Sequence, residues 1–303
     1  MRAGRRLGQA AWALYDWAVS PFATLIITFV FAPYFQQAVV ADAVDGQALW
    51  GLAMALAGLG FSLTAPFLGS VADAGGGLKR WIAGFTFTCA LASAGLWFVA
   101  PNPDFAILAL VLVVIGNLAS EHAALFVNAL LPGIVGRSRL GRLSGWAWGL
   151  GYLGGLAALL TALALLIQPA VPLFGHDKNG AEHVRMTGPL VAAWLLIFAA
   201  PLFLLTPDRR GGGTAPGGTV RAGLRDMVRR LKALPRRRDL FRFLLAHMLY
   251  NNGLLTLFGL GGVYAAGVFG MRLDEVILFG IALNVAAGLG AFTFGFVDDR
   301  IGS

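Results

Sequence analysis

Eight stretches of this 303-residue chain are long and apolar enough for a helix to cross a bilayer, and that repetition leaves few folds open. A crossing helix needs about 20 predominantly apolar residues. The stretches are Leu14 to Val39, Leu49 to Val71, Trp81 to Ala100, Phe105 to Leu131, Leu143 to Ile167, Pro189 to Leu205, Phe241 to Val268 and Val276 to Val297. Short loops rich in Pro, Gly or charge separate them, and only the connection from Thr206 to about Leu240 is long. Charged residues make up 13% of the chain, about half the share of a water-soluble domain. Disorder is excluded by the same apolar content, and a disulfide scaffold by Cys89 standing alone. The expected class is all-α: a polytopic, multi-pass helical membrane protein whose first partner is the lipid bilayer.

The net charge of +8 does not mark a nucleic-acid partner, because the basic residues fall between the apolar runs. Cytoplasmic loops retain Lys and Arg. With the N-terminus inside, all but Lys178, Arg185 and Arg272 of the 23 basic residues lie on one side. The topology is therefore expected to be N-in and C-in. The run after Arg2, Arg5 and Arg6 is too long for the apolar core of a cleaved signal, and seven further spans follow it.

The long connection divides the chain into a six-helix unit over 1–206, a basic cytoplasmic linker over 207–240, and two helices of a second unit over 241–303. Within the linker, Val220, Leu224, Met227, Val228, Leu231 and Leu234 recur at helical spacing among arginines. Such a segment suits a surface helix on anionic headgroups or a solvated linker held inside by charge, and the sequence leaves both open. One motif recurs across the divide. After the second span the chain reads Gly69-Ser-Val-Ala-Asp73, and after the eighth Gly295-Phe-Val-Asp-Asp299, followed by Arg300. Glycine permits close helix approach. An aspartate one turn later can face an Arg or a helix N-terminus in a cytoplasmic latch. Two copies at matching positions point to a duplicated six-span unit, a transporter hallmark.

These paired motifs around a long basic loop resemble the major facilitator superfamily. Four stretches are similar to its vacuole-effluxer branch, the autophagy-related amino-acid effluxers, and to that branch's bacterial relatives. They are Trp12-Ala-Leu-Tyr-Asp-Trp-Ala-Val-Ser-Pro-Phe22, Asn128-Ala-Leu-Leu-Pro132, Ser144-Gly-Trp-Ala-Trp-Gly-Leu-Gly-Tyr-Leu-Gly-Gly155 and Phe243-Leu-Leu-Ala-His-Met-Leu-Tyr-Asn-Asn-Gly253. The resemblance implies a major-facilitator-type fold, of whose usual twelve helices this sequence holds eight. It also implies efflux of amino acids or similar small polar solutes, with protons as a coupling ion. A bacterial cytoplasmic membrane is the expected location. Superfamily members place a basic residue directly after the first Asp. Here Ala74 to Leu78 intervenes, so Lys79 and Arg80 are the expected substitutes.

Polar groups inside a span cost a few kcal/mol and default to functional candidates. On the first span Asp16, Ser20, Thr24 and Thr28 follow at four-residue steps along one face. On the fourth, Asn117, Glu121 and Asn128 share a face, and on the seventh Asn251 and Asn252 lie near mid-membrane. In the superfamily fold these three helices line the central cavity. Glu121 could carry a coupling proton or be a structural acid; His122 beside it points about 100° away. Asp16 suits a gate, a structural role or a substrate contact, and Asn251 and Asn252 suit a polar solute or helix–helix bonding. Gly141, Gly145 and Gly149 form one small-residue ridge and Gly151 with Gly155 another, both expected to serve packing. The fifth span lacks the Gly-Pro element of the superfamily's drug antiporters. No metalloprotease, nucleophile-elbow or phosphate-loop motif is present, and no catalytic residue, cofactor or metal site is expected. The four histidines are scattered. The reading is a secondary transporter working by alternating access, its cavity completed by further chain, a partner or a second copy; the rival is a non-transporting truncated product or a membrane scaffold or regulator.

Overall fold

The computed structural model describes residues 2–40, 42–75, 77–169, 177–208, 228–229, 232–269 and 273–301. Every element named below is helical, as a chain in lipid requires when no water can satisfy its backbone. The first span runs as α1 (Arg2–Pro21), a π-helical stretch (Phe22–Phe29), a short α2 (Phe31–Tyr34) and a second π-helical stretch (Phe35–Val39). Then come α3 (Ala43–Gly75), α4 (Leu78–Gly95), α5 (Ala106–Ile134) and α6 (Leu140–Ala162), which continues as a π-helical turn (Leu163–Ile167). A short α7 (Glu182–Arg185) leads into α8 (Thr187–Leu205). Beyond the long connection lie α9 (Arg238–Phe269) and α10 (Leu273–Ile301).

All eight apolar runs are helices, and most extend past the apolar run by several residues. Six helical segments among the described residues meet the length and hydropathy of a membrane span, and α10 contributes a shorter apolar stretch, Ile281–Val297. The first helix begins at Arg2 rather than Leu14; Gly4 to Leu7 are exposed, and the helix turns onto the bundle from Gly8, Ala11 and Trp12. Its break at Pro21 has a direct cause. Proline lacks an N–H and so frees the carbonyl four residues earlier. That is the Trp17 carbonyl, and the Trp194 indole of α8 donates to it at 3.2 Å. Thr28 then donates to the Ala23 carbonyl at 3.0 Å, the five-residue spacing of a π-helix.

The first span sits at the centre of the bundle, touching α5, α6 and α8. Trp12, Tyr15, Phe22, Leu25 and Ile26 are fully enclosed. Their polar tips are satisfied: the Trp12 indole donates to the Val127 carbonyl at 2.7 Å, and the Tyr15 hydroxyl meets Thr86 Oγ1 at 2.7 Å. Leu59, Leu63, Ile107 and Leu204 are exposed, as lipid-facing side chains must be.

The two ends of the bundle are tied separately. At the basic end Lys79 Nζ donates to the Phe203 and Thr206 carbonyls, both at 2.7 Å, capping α8. Thr206 donates to the Gly8 carbonyl at 3.0 Å, and Gln9 to the Ile134 carbonyl that ends α5 at 2.8 Å. At the other end the Tyr34 hydroxyl donates to the Val99 carbonyl at 2.8 Å, and Arg185 Nε to the Trp97 carbonyl at 2.7 Å. The ends thus alternate as the basic loops predicted.

Candidate functional site

Asp16, Ser20 and Thr24 lie against α6, where the sequence placed only a packing ridge. A Cβ added at Gly151 would stand 2.9 Å from Ser20 Oγ and 3.4 Å from the Asp16 Cβ. One added at Gly154 would stand 2.6 Å from the Trp17 carbonyl oxygen, and one at Gly155 would strike Thr24 Oγ1. The polar stripe and the Gly151–Gly155 ridge are two sides of one interface. Thr24 donates to the Ser20 carbonyl at 3.0 Å and Thr28 to that of Ala23, so both hydroxyls serve their own helix. Among the described residues, the Asp16 carboxyl has no hydrogen-bond or ion-pair partner.

On α5 the buried face carries Gly116, Ala119, His122, Ala123, Phe126 and Val127. Asn117 is half-buried on its margin, while Glu121 and Asn128 are exposed. His122, passed over in the sequence as a mere neighbour of Glu121, is 3% exposed and bonded across to α3. Asn251 and Asn252 sit on α9, whose side chains from 238 to 253 are all exposed. Asn251 Nδ2 stands 3.1 Å from His247 Nε2 on its own helix. No hydrogen bond or ion pair among the described residues joins these asparagines to Asp16 or Glu121.

The two Gly-x-x-x-Asp copies differ. Gly295 is buried, and a Cβ there would stand 3.0 Å from the Gly141 carbonyl oxygen and 3.2 Å from the Gly145 Cα. A Cβ on Gly145 would stand 2.6 Å from the Ala291 carbonyl oxygen, and one on Gly149 would enter the Phe292 ring. Here α10 crosses α6 with almost no side chain between the backbones. One turn past Gly295, Asp299 is 5% exposed with Oδ2 3.4 Å from Arg142 Nε. Arg142 is the third residue of α6, so the carboxylate also faces the positive end of that helix. The guanidinium lies 4.9 Å over the Phe296 ring. Sequence reasoning counted Arg142 only as a cytoplasmic charge; its position one residue after Gly141 was the available signal. Arg300 is exposed.

In the first copy, a Cβ on Gly69 meets nothing within 4 Å among the described residues. Asp73 lies in the last turns of α3, and its side chain is outside the described residues. Lys79 is committed to α8. Arg80 curls over Gly77, whose φ of +69° requires glycine at that turn, with its Nε 2.9 Å from where a Cβ would be. Most of the proposed linker helix, residues 220–227 and 230–231, and His176 also lie outside the described residues.

Residues 137–303 match the family described as Vacuole effluxer Atg22 like. The chain is 23% identical over 295 residues to the uncharacterized MFS-type transporter YxiO of Bacillus subtilis, covering 96% of this chain and 68% of that protein. It is 26% identical over 167 residues to autophagy-related protein 22-1 of Neosartorya fischeri, which spans 52% of this chain but 26% of that protein. Its fold is similar to the proton:xylose symporter XylE bound to 6-bromo-6-deoxy-D-glucose, with TM-score 0.63 and 15% identity over 99% of this chain and 70% of that one. That likeness establishes a major-facilitator fold.

Proposed function

The chain belongs to the Atg22-like vacuole effluxer family, a branch of the major facilitator superfamily of secondary transporters, and from that premise we propose that it moves small polar solutes outward by alternating access. Amino acids are the proposed substrate class, protons the proposed coupling ion, and a bacterial cytoplasmic membrane the proposed site. The division into a six-helix unit over 1–206, a linker over 207–240 and the start of a second unit over 241–303 is part of the same reading.

One observation carries it. Helix α6 presents one glycine face to the polar stripe of α1 and another to α10. A helix stripped of side chains on both faces can roll against either neighbour at small steric cost, which a rocking transporter needs. On this reading Asp16, Ser20 and Thr24 border the solute path beside that moving contact. Asn117, Glu121, Asn128, Asn251 and Asn252 would complete it. The Arg142–Asp299 pair would hold the basic end closed, with Gly69, Asp73, Lys79, Arg80, Gly295 and Arg300 as the remaining latch residues.

The test is flux in proteoliposomes. Purified chain should exchange labelled amino acids across the membrane, and an imposed proton gradient should drive accumulation that Glu121→Gln abolishes while exchange persists. Exchange no faster than in empty liposomes, from protein shown to be folded, would instead support a non-transporting membrane scaffold. Gradient-driven accumulation retained by Glu121→Gln would remove the coupling role from that residue.

A further inference from the structure

The helical contact between α3 and α5 contains a hydrogen-bond chain that is one proton short. His122 Nδ1 stands 2.7 Å from the Leu118 carbonyl oxygen, and His122 Nε2 stands 2.9 Å from Thr64 Oγ1. Thr64 Oγ1 stands in turn 2.6 Å from the Gly60 carbonyl oxygen. Both ends of this chain are carbonyls, which only accept. Three contacts need three hydrogens. A neutral imidazole and a hydroxyl supply two; an imidazolium and a hydroxyl supply three.

We infer that His122 is a proton-binding site, holding a proton on Nε2 against Thr64. In the loaded form Nδ1–H donates to Leu118, Nε2–H to Thr64, and Thr64 to Gly60. The 2.6 Å contact to Gly60 fits that form, since it commits the hydroxyl proton away from the ring. When the proton leaves, the Thr64 hydroxyl turns and donates to the bare Nε2. Gly60 keeps its carbonyl bonded within α3, but its 2.6 Å contact with Thr64 Oγ1 then holds no hydrogen, so the two oxygens must draw apart. The ring's surroundings suit a cation. It stacks on the face of Phe85 of α4, with centroids 5.0 Å apart at 22°, and lies T-shaped to Phe61 of α3, centroids 5.0 Å apart.

Among the described residues, no charged side chain bonds to this ring from any element packed on it. Helix α3 brings Gly60, Phe61 and Thr64, α4 brings Phe85, and α5 brings Leu118. Glu121 is next in sequence but exposed on another face, and Cys89, one turn beyond Phe85, is the nearest titratable group along α4. The site deepens the transport reading by giving a proton a place distinct from Glu121, and its test does not depend on flux.

The experiment is nitrogen-15 NMR of the ring in lipid nanodiscs. In a chain carrying His176→Gln, His183→Gln and His247→Gln, His122 is the only histidine left. At pH 5 both ring nitrogens should carry hydrogen; at pH 9 the Nε2 hydrogen should be lost and Nδ1–H retained. Adding Thr64→Val should leave a single N–H, on Nδ1, at both pH values. A ring with one N–H throughout, before Thr64 is touched, would overturn the proposal, so the first arm decides even where Thr64→Val fails to fold. Unchanged gain of the second hydrogen in Thr64→Val would overturn it equally. Either result leaves the transporter reading standing, and absence of flux would leave the proton site standing.

Discussion

The chain carries the same five-residue motif twice, and its two copies meet opposite surroundings. Around Gly295 the backbones of α6 and α10 come within contact of each other, and Asp299 is closed in beside Arg142. Around Gly69, among the described residues, there is open space. Sequence made the copies look equivalent. The difference teaches that Gly-x-x-x-Asp is half of a contact. Its other half is a glycine ridge and a basic residue at the start of a second helix, which α6 supplies through Gly141, Gly145, Gly149 and Arg142.

Filling each glycine contact should separate the two copies most strongly. Gly145→Leu should be the most damaging change, because its Cβ would meet the Ala291 carbonyl, a backbone atom that cannot turn aside. Overpacking of this kind costs roughly 1–3 kcal/mol and occasionally more. The thermal unfolding midpoint in detergent should fall clearly, and protease should cut α10 faster than in the parent. Gly69→Leu should do neither, and equal damage from both would erase the distinction.

Asp299→Asn comes next. A buried pair broken on one side costs about 3–5 kcal/mol when dry. Arg142 is 42% exposed, so roughly 1–2 kcal/mol is expected here. Adding Arg142→Gln should cost less than the sum of the single changes, which a double-mutant cycle on unfolding midpoints would read directly. Strict additivity would show that the two groups do not interact.

Lys79→Met probes the other copy. It removes two bonds to the carbonyls ending α8 and should cost about 1–2 kcal/mol, with the loss felt at Leu205 and Thr206. Hydrogen exchange there should rise while α3 stays protected. Increased exchange confined to α3 would return Lys79 to the motif the sequence assigned it. Smallest of all, Gly69→Ala should be neutral or gain up to about 1 kcal/mol of helix propensity. A measurable loss would reveal a neighbour at Gly69.

Much of the architecture was legible because lipid imposes a simple rule: an apolar run of sufficient length becomes a helix. The run from Leu49 to Val71 lies inside α3, and that from Phe105 to Leu131 begins one residue before α5 and ends within it. What was not legible depended on partners distant in sequence. The break at Pro21 went unread in the sequence, and the Trp194 indole that answers the freed carbonyl lies 177 residues from Trp17. The Asp16–Thr24 stripe and the Gly151–Gly155 ridge were both readable as patterns, yet nothing in either says that they face each other. Lys79 shows the opposite error. Its closeness to Asp73 suggested a shared role, and the open carbonyls at the end of α8 attracted it instead. His122 was overshadowed by Glu121 because burial, not residue type, distinguishes them.

If solute crosses through motion at the contact between α6 and α10, joining these two helices must stop it. Trp146 and Phe296 face each other across that contact, ring centroids 6.0 Å apart. With Cys89→Ala removing the sole native thiol, a Trp146→Cys, Phe296→Cys chain can be bridged by a short, reductant-cleavable bifunctional thiol reagent. Labelled amino-acid exchange in proteoliposomes should proceed before bridging, stop when the two helices are joined, and return after reduction. Exchange that continues undiminished through a bridged contact would contradict the account.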